Sequence, residues 1–433
     1  MTGKDHYATL FFEPDGKKHG DFCMIEKDNG LYDIFIENDK TEDAVQGGFS
    51  YGNRYGLAFT RDGLRWEYQG TILRPGEKGA WDDRSLWAAH VIERDGEYVL
   101  LYSAIADRKD AILLTQQFGI AVSQDLKSWV KQPWNPVIKN TDTGKHYVPK
   151  SDNEFCWRDA NLIHHEDGYL CILVAKDPSA PAGKNGCVGL LKTKNLLKWE
   201  TLPPLFSPGK YSELETPRLN CIDGKWILLF GENTGTMSMR FALSETVLGK
   251  YSEPENNIFT PPQCYAGVMI ELDGRWCFYH WIMDRNKGKN ERYLAPPKLV
   301  GLADGFVFLK KDPRMDQFFD ETPGDDVLAE INRSHDDKIR VRRKLGKGLR
   351  VKIASAHQEY SREISLAKDE QGVSVTETGT VAAEKRTFPI SADELEIEFF
   401  FHDRFMEVYA GGCFVYALVL EKEFSQLDKI KIE

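Results

Sequence analysis

The sequence lacks the features that mark membrane-spanning, secreted and nucleic-acid-binding proteins. Its 433 residues contain no apolar run approaching the roughly 20 residues of a membrane helix. The first residues, MTGKDHYATLFFEPDGKKHG, lack the apolar core of a signal peptide. Basic residues are outnumbered, with 56 Lys and Arg against 67 Asp and Glu and a net charge of −11. Because binding of nucleic acid requires a basic face, we expect no nucleic acid as partner. Because a membrane helix and a signal-peptide core are both missing, we expect a cytoplasmic protein that has no membrane partner.

Paired metal-ligand or disulfide motifs are also missing. The eight cysteines form no Cys-x-x-Cys pair, and most stand in apolar, strand-like runs such as YLCILV and RWCFYHW. This pattern favours buried free thiols over disulfides or a metal site. We expect neither a metal nor another cofactor.

Tryptophan is absent from the C-terminal part of the chain. All ten tryptophans fall between Trp66 and Trp281. At about 100–200 residues per domain, the length allows two or three domains. The asymmetry indicates a Trp-rich body followed by a different module.

Helical periodicity is scarce, and a β-repeat takes its place. A turn followed by an aromatic residue and an apolar strand recurs as DNGLYDIFIE, DGEYVLLYS, DGYLCILVA, DGKWILLFG and DGRWCFYHW. The turn glycines, spaced by 66, 72, 56 and 50 residues, are Gly30, Gly96, Gly168, Gly224 and Gly274. Asp-Gly and Asn-Gly favour tight hairpins, so each copy predicts strand, turn, strand.

A second repeat interleaves with the first. The segments GLAFTRDGLRW (56–66), GIAVSQDLKSW (119–129) and GLLKTKNLLKW (189–199) begin with Gly and end with Trp ten positions later. They are interpreted as later strands and the closing turn of the same unit. Five such units, each too small to bury its own face, predict an all-β, five-bladed propeller over residues 1–318. The alternative is two β-sandwiches with ordinary turns.

The pattern changes near Asp325. A polar stretch leads into short alternating strands, including LEIEFFFHDRFMEVYAGGCFVYALVL at 395–420. Alternation with a Gly-Gly turn predicts a C-terminal antiparallel β-sandwich over residues 319–433. The alternative is a strand-rich extension packed on the propeller.

The repeat also selects candidate functional residues. Counting nine positions back from each turn glycine reaches Asp21, Trp87, Asp159, Glu215 and Tyr265. The first strand of a propeller blade lines the central channel, so these side chains are predicted to ring one mouth of it. This prediction assumes equal hairpin lengths, since a slip of one residue turns a side chain to the opposite face.

Clustered carboxylates repel one another, which is why such clusters are usually functional. Two chemistries fit: acid and base catalysis on a glycosidic bond, and Ca²⁺ binding by oxygen ligands. Flanking aromatic residues suit stacking against sugar rings, with Trp281 joining Trp87 and Tyr265. We favour a sugar site.

At these residues the chain resembles glycoside hydrolase family 32, the β-fructofuranosidases, and more loosely other five-bladed propeller glycosidases. WRDANL at 157–162 is similar to the family's Arg-Asp-Pro motif, and ETPRL at 215–219 to its Glu-Cys-Pro motif. Similar segments also surround the family's N-terminal aspartate (19–37), its second-blade motif (81–91) and a strand pair of its C-terminal sandwich (402–412).

The resemblance implies a role for each acid. Asp21 would be the nucleophile, and Asp159, assisted by Arg158, would stabilise the transition state. Glu215 would be the general acid and then the base, which requires it to be protonated near neutral pH. Glu37 stands where the family commonly has a sugar-binding Gln. The implied activity is retaining hydrolysis of β-fructofuranosidic bonds in sucrose-like sugars or short fructo-oligosaccharides.

Some of the family's motif residues are replaced. The usual Trp-Met-Asn-Asp-Pro-Asn-Gly run is absent, Ala160 stands for its Pro, and Thr216 for its Cys. Three alternatives stay open: a fructosyltransferase, an inverting arabinofuranosidase- or xylosidase-like hydrolase, and a non-catalytic carbohydrate-binding propeller.

Overall fold

The computed structural model describes most of the chain as β-structure, as predicted. The described residues are 10–40, 45–46, 49–50, 52–107, 115–152, 154–232, 237–284, 291–303, 305–322, 338–345, 348–354, 361–369, 372–378, 386–388, 395–419 and 429–432. None of the helices within these ranges has the length and apolarity needed to cross a membrane.

The chain divides into two compact units. The first comprises Met1–Ile258, Tyr265–Trp281 and Glu291–Pro297; the second comprises Phe259–Cys264, Ile282–Asn290 and Lys298–Glu433. The domain boundary predicted between residues 318 and 319 stays a prediction.

The first unit contains the five repeats, and each forms an antiparallel sheet in chain order. The first two sheets pair β1-β2-β5-β6 and β7-β8-β9-β10. Their strands are β1 (Lys17–Lys27), β2 (Gly30–Asp39), β3 (Val45–Gln46), β4 (Phe49–Ser50), β5 (Arg54–Thr60), β6 (Glu67–Leu73), β7 (Ser85–Arg94), β8 (Glu97–Ile105), β9 (Gln117–Ser123) and β10 (Val130–Lys131). The two-residue strands β3 and β4 pair with each other.

Blades three to five continue the pattern. The third sheet pairs β11-β12-β13-β14, the fourth β15-β16-β17, and in the fifth β19 pairs with β18 and β20. These strands are β11 (Arg158–His165), β12 (Gly168–Lys176), β13 (Gly186–Thr193), β14 (Glu200–Phe206), β15 (Glu215–Ile222), β16 (Lys225–Glu232), β17 (Ser238–Ser244), β18 (Cys264–Leu272), β19 (Arg275–Asp284) and β20 (Glu291–Leu294).

The hairpins between the first and second strands of blades one to four share a two-residue turn but place the glycine differently. In blade two Asp95 and Gly96 both have positive φ, and the flanking residues Arg94 and Glu97 pair directly. In blade one Lys27 pairs with Gly30, so the glycine already belongs to the second strand. Blade four follows the first pattern and blade three the second. The assumption of equal hairpin lengths is therefore confirmed for these four blades, but the glycine is not a constant marker of the turn.

The Gly-to-Trp repeat is the third strand plus a turn held by its own side chains. After β9, the carboxylate of Asp125 accepts hydrogen bonds from the backbone N–H groups of Lys127 and Ser128, at 2.8 and 2.7 Å. Trp129 then donates its indole N–H to the carbonyl of Leu126 at 2.8 Å. The same bonds recur after β13, with Asn195 as the acceptor and Trp199 as the indole donor. Asx turns of this kind explain why Asp or Asn and Trp return at fixed spacing.

The first and fifth blades are joined by the N-terminal segment. Phe12 exchanges two backbone hydrogen bonds with Leu294 of β20, at 2.8 and 2.9 Å. The ring of Phe12 also packs on Trp66, which meets Tyr279 of the fifth blade edge to face. Pairing of the chain's start with its last blade closes the ring and covers a strand edge.

The hydrophobic core lies between neighbouring blades. Apolar side chains from blades one and two form one cluster, those from blades two and three a second, and those from blades three and four a third. Trp157 and Phe118, both 0% exposed, sit in the second cluster. Burial of each large apolar side chain contributes about 1.5–3 kcal/mol, so the blades stabilise one another. Six of the eight cysteines are buried and all eight are free thiols, as predicted.

The second unit contains two sheets and its own core. One sheet has the order β21-β22-β31-β30-β29-β24-β23, and the other β28-β27-β26-β25-β32. The strands are β21 (Lys298–Ala303), β22 (Phe306–Lys311), β23 (Asp320–Thr322), β24 (Lys338–Leu345), β25 (Gly348–Ala354), β26 (Ser361–Asp369), β27 (Gly372–Thr378), β28 (Arg386–Phe388), β29 (Leu395–His402), β30 (Phe405–Ala410), β31 (Cys413–Val419) and β32 (Lys429–Ile432), with a 3-10 helix at Pro313–Phe318. Apolar residues of both sheets share one buried cluster, which makes this unit the predicted sandwich.

Candidate active site

Four of the first strands contain a bulge close to where they begin. In β11, Arg158 and Asn161 pair with Val174 and Ile172, so two residues stand opposite one. Corresponding irregularities fall in β1, β7 and β15. A bulge bends the strand and re-aims its side chains. The same end of successive blades therefore presents side chains that a regular strand would direct elsewhere.

The three predicted acids all lie at these bulges. Asp21 and Asp159 are inside the bulges of β1 and β11, and Glu215 is the last paired residue before that of β15. The prediction of one identical position in every blade is wrong in detail. Neither the turn glycines nor the bulges fall at the same place in all blades, so the acids occupy adjacent register positions.

Asp159 is the most enclosed of the three carboxylates. It is 4% exposed, its Oδ2 accepts a hydrogen bond from the Thr216 N–H at 3.1 Å, and the Arg158 Nε lies 3.6 Å from it. Burial raises the pKa of Asp159 to about 7, opposed by the Arg158 charge and assisted by Asp21 and Glu215. Asp21 and Glu215 thus lie close enough to Asp159 for their charges to raise its pKa.

Glu215 is held between a cation and a hydroxyl. Its Oε1 accepts a hydrogen bond from Arg158 Nη2 at 2.6 Å, and its Oε2 accepts one from the Tyr265 hydroxyl at 2.8 Å. Tyr265 fits because Gly231, opposite Glu215, has no side chain: a Cβ there would lie 2.3 Å from the tyrosine ring. Burial raises the pKa of Tyr265 well above its usual range, so it stays a donor. That Glu215 is protonated near neutral pH stays a prediction.

Arg158 serves a second carboxylate that sequence reasoning missed. The same Nη2 donates to Glu213, and Lys176 Nζ lies 3.8 Å from the Glu213 Oε1. Arg158 is 8% exposed, so its charge is balanced by acids rather than by water. The one sequence signal for Glu213 was its spacing of two residues from Glu215, which places both side chains on the same face of an extended strand.

Asp21 has a different set of neighbours. The Trp281 indole N–H donates to its Oδ1 at 3.3 Å, and Arg292 Nη1 lies 4.0 Å from the same oxygen. The Arg292 guanidinium stacks 4.7 Å over the Trp281 ring, whose centroid is 5.3 Å from that of Tyr265. Trp281 and Tyr265 thus connect the surroundings of Asp21 with those of Glu215.

A buried arginine lies deeper in the same region. Arg218, 4% exposed, donates from Nη2 to the carbonyl oxygen of Phe22, next to Asp21, at 3.0 Å. Burial lowers the pKa of Arg218, while Cys23, Asp159 and Asp21 act against that effect. Sequence reasoning missed Arg218 and Arg292 because neither follows the repeat that revealed the acids.

Two further predicted residues bond to partners within blades one and two. Trp87 is at the bulge of β7, half-buried, and its carbonyl accepts a hydrogen bond from the Tyr55 hydroxyl. Glu37 is 0% exposed and accepts from Arg54 Nε at 3.0 Å, from the Tyr68 hydroxyl and from Thr71. These bonds give Glu37 a structural part inside blade one, and sugar-binding roles for Glu37 and Trp87 stay predictions.

Three carboxylates in three distinct environments suit acid and base chemistry. One is buried with a pKa near neutrality, one is paired with an arginine and a tyrosine, and one lies beside an indole N–H. Such a site at one end of a five-bladed propeller has the carboxylates that a glycosidase requires. Comparison with known families makes the class specific. Residues 23–274 match the glycosyl hydrolases family 32 N-terminal domain, and the chain belongs to this family.

Solved structures of family members share the fold over nearly the whole chain. The family 32 β-fructofuranosidase of Bombyx mori is 15% identical, with a TM-score of 0.70, covering 99% of this chain and 93% of its own. Fructan 1-exohydrolase IIa of Cichorium intybus is 14% identical, with a TM-score of 0.70 and coverage of 100% and 94%. Sucrose-6-phosphate hydrolase of Lactobacillus gasseri is 14% identical, with a TM-score of 0.68 and coverage of 99% and 91%.

The raised pKa of Asp159 predicts a pH-dependent stability. Between pH about 4, its unfolded value, and about 7, the folded protein keeps a proton that the unfolded chain has released. The free energy of unfolding should therefore fall as the pH rises through this window. Asp159→Asn, which cannot ionise, should be spared this loss, amounting to roughly 4 kcal/mol at most.

Urea unfolding at pH 5 and pH 8 measures the effect. The wild type should lose more stability than Asp159→Asn between the two values. Asp95→Asn, in an exposed turn, is the control and should follow the wild type. Parallel behaviour of wild type and Asp159→Asn would show that Asp159 titrates like an exposed aspartate.

Proposed function

We propose that this family 32 enzyme is a retaining β-fructofuranosidase that hydrolyses sucrose-like sugars or short fructo-oligosaccharides. The observation that carries the proposal is the convergence of Asp21, Asp159 and Glu215, each with different hydrogen-bonding partners. Structurally similar proteins, as their names say, act on β-fructofuranosides, fructans and sucrose 6-phosphate. The family match begins at residue 23 and includes Asp159 and Glu215, so the role of Asp21 rests on geometry and resemblance.

In the first step an oxygen of Asp21 attacks the anomeric carbon of the fructosyl group. A bond forms between that oxygen and the carbon, the glycosidic bond breaks, and the leaving oxygen takes a proton from Glu215. The indole N–H of Trp281 and the guanidinium of Arg292 orient Asp21 and keep its negative charge in place. The product is a fructosyl ester on Asp21.

In the second step Glu215 is the base. It removes a proton from a water molecule, the water oxygen bonds to the anomeric carbon, and the ester bond to Asp21 breaks. Two displacements at one carbon retain its configuration. Arg158 and the Tyr265 hydroxyl, at 2.6 and 2.8 Å, hold the Glu215 carboxylate in position for both proton transfers.

Asp159 contributes through hydrogen bonds rather than covalent chemistry. With a pKa of about 7, it exists in both protonation states near neutrality, so it can donate to or accept from sugar hydroxyls. The Thr216 N–H fixes one of its oxygens. Bonds to the ring hydroxyls that strengthen as positive charge develops at the anomeric carbon stabilise the transition state.

The aromatic side chains form the wall of the site. Trp281 and Tyr265 are 1% and 2% exposed, and Arg292 covers one face of the indole. In this arrangement the two aromatic residues supply hydrogen-bond donors and exclude water. Their stacking on a sugar ring stays a prediction.

The alternatives differ in the acceptor or the stereochemistry. A fructosyltransferase would use the same three acids with a sugar in place of water. An inverting hydrolase would use water directly on the sugar, with no ester on Asp21. The predicted cytoplasmic location also stays a prediction.

Asp21→Asn tests the nucleophile. The amide cannot form the ester, so turnover of sucrose and 1-kestose should fall at least about 1,000-fold. Thermal unfolding and binding of sucrose, followed by tryptophan fluorescence, should stay close to wild type. Asp28→Asn, in the turn that ends the same strand, is the matched control and should keep full activity. An Asp21→Asn enzyme within tenfold of wild type would remove Asp21 as nucleophile.

Glu215→Gln tests the general acid. Its kcat/KM should fall most for sucrose, whose leaving group needs a proton, and much less for an activated aryl β-fructofuranoside. Glu213→Gln is the comparison, because Glu213 shares Arg158 but has no place in the proton transfer. Its loss should be similar for both substrates. Equal losses for both substrates in Glu215→Gln would argue against a general acid at this position.

A further inference from the structure

A second concave site lies between blades two and three, away from the carboxylates. Its volume is about 290 Å³, and it is lined by Arg94, Glu97, Gln132, Trp134, Asn195 and Leu197, among others. Arg94 and Glu97 flank the hairpin turn at one end of β7, whereas the bulge with Trp87 is at the other end. Seven residues of extended chain separate the two ends by roughly 20 Å. The pocket is therefore distinct from the acid site.

Exposed apolar side chains concentrate around this pocket. In the described part of the chain, four large hydrophobic residues stand out as exposed: Val130 (63%), Trp134 (53%), Leu197 (49%) and Leu248 (49%). Trp134 and Leu197 line the pocket, and Val130 pairs with Val122 of its wall. Grouped exposure of this kind marks a binding surface more often than single exposed residues do.

The loop that presents Trp134 is anchored on both sides. The Gln132 N–H donates to the carbonyl of Ile120 at 2.9 Å. The Asn135 side chain pairs with the N–H and the carbonyl of the same Ile120, both at 2.8 Å. These bonds fix the backbone that carries Trp134 to the pocket wall, so less of the loop has to be ordered when a ligand binds, which lowers the entropic cost of binding.

The polar lining suits a neutral, hydroxyl-rich ligand. Arg94 and Glu97 lie 3.8 Å apart and offset each other's charge, so the pocket has no strong preference for an ion. Gln132 and Asn195 add amide donors and acceptors, and the Asn195 Oδ1 already caps the turn through Leu197 and Lys198. A sugar ring can pack its C–H face on the indole of Trp134 while its hydroxyl groups bond to the surrounding polar side chains.

We propose that this pocket is a non-catalytic binding site for a fructan chain, which holds the enzyme on polymeric substrate while the carboxylate site acts. The choice of fructan among sugars rests on the proposed function. A protein partner would need roughly 800 Å² per side for a stable complex, far more than one indole and its neighbours provide.

The test is native gel electrophoresis in gels containing levan, inulin or dextran, with Asp21→Asn as the parent so that the polymer survives. Levan or inulin should retard the parent more than dextran does. Trp134→Ala in that background should weaken the retardation at least fivefold, and Leu248→Ala, the matched exposed control, should leave it unchanged. In the otherwise wild-type enzyme, Trp134→Ala should keep kcat/KM for sucrose within twofold.

Three results would overturn the proposal: no retardation of the parent by either fructan, equal retardation of parent and Trp134→Ala, or equal retardation by dextran. A change in solution mass of Trp134→Ala by light scattering, with retardation intact, would show that the patch is a protein interface instead. Failure of the proposed function is seen separately, as absence of hydrolysis of sucrose, 1-kestose and levan by the wild type. In that case binding to levan that is weakened by Trp134→Ala would still support the binding site.

Discussion

The buried charge of Arg158 is the interaction on which the rest of the site depends. Carboxylates that lie close together in a partly buried site repel one another. Without a counter-charge they would take up protons or destabilise the fold. Arg158 bonds Glu213 and Glu215 through one nitrogen and lies 3.6 Å from Asp159, so a single guanidinium meets three acids. The bulge at the start of β11 places this arginine, one residue before Asp159, where neighbouring blades present their acids.

The division of labour that we propose for the acids follows from their unequal neighbours. Asp159 is the most buried of the three acids, and this burial raises its pKa to about 7. Glu215 has Arg158 and the Tyr265 hydroxyl, and Asp21 has an indole N–H with Arg292 at 4.0 Å. Two carboxylates in different surroundings can serve as acid and nucleophile at one pH, which is the requirement for a two-step mechanism.

Much of this could be predicted from the sequence, because hairpin signals and Asx turns are local. Asp95-Gly96 and Asp125 specify their turns through their own φ angles and side chains. The bulges could not be predicted, since they depend on pairing between strands, and they shift Asp21 and Glu215 to different register positions. Arg218 and Arg292 were invisible for a related reason: their importance comes from contacts made across blades, far apart in the chain.

The central claim is that catalysis proceeds through an ester on Asp21. The most direct measurement follows the anomeric configuration of the first fructose released from a β-fructofuranoside, by NMR early in turnover and before mutarotation. A double displacement predicts that the β-anomer appears first and equilibrates later. First appearance of the α-anomer would contradict the account, because it would mean that water attacks the sugar directly and that Asp21 is not the nucleophile.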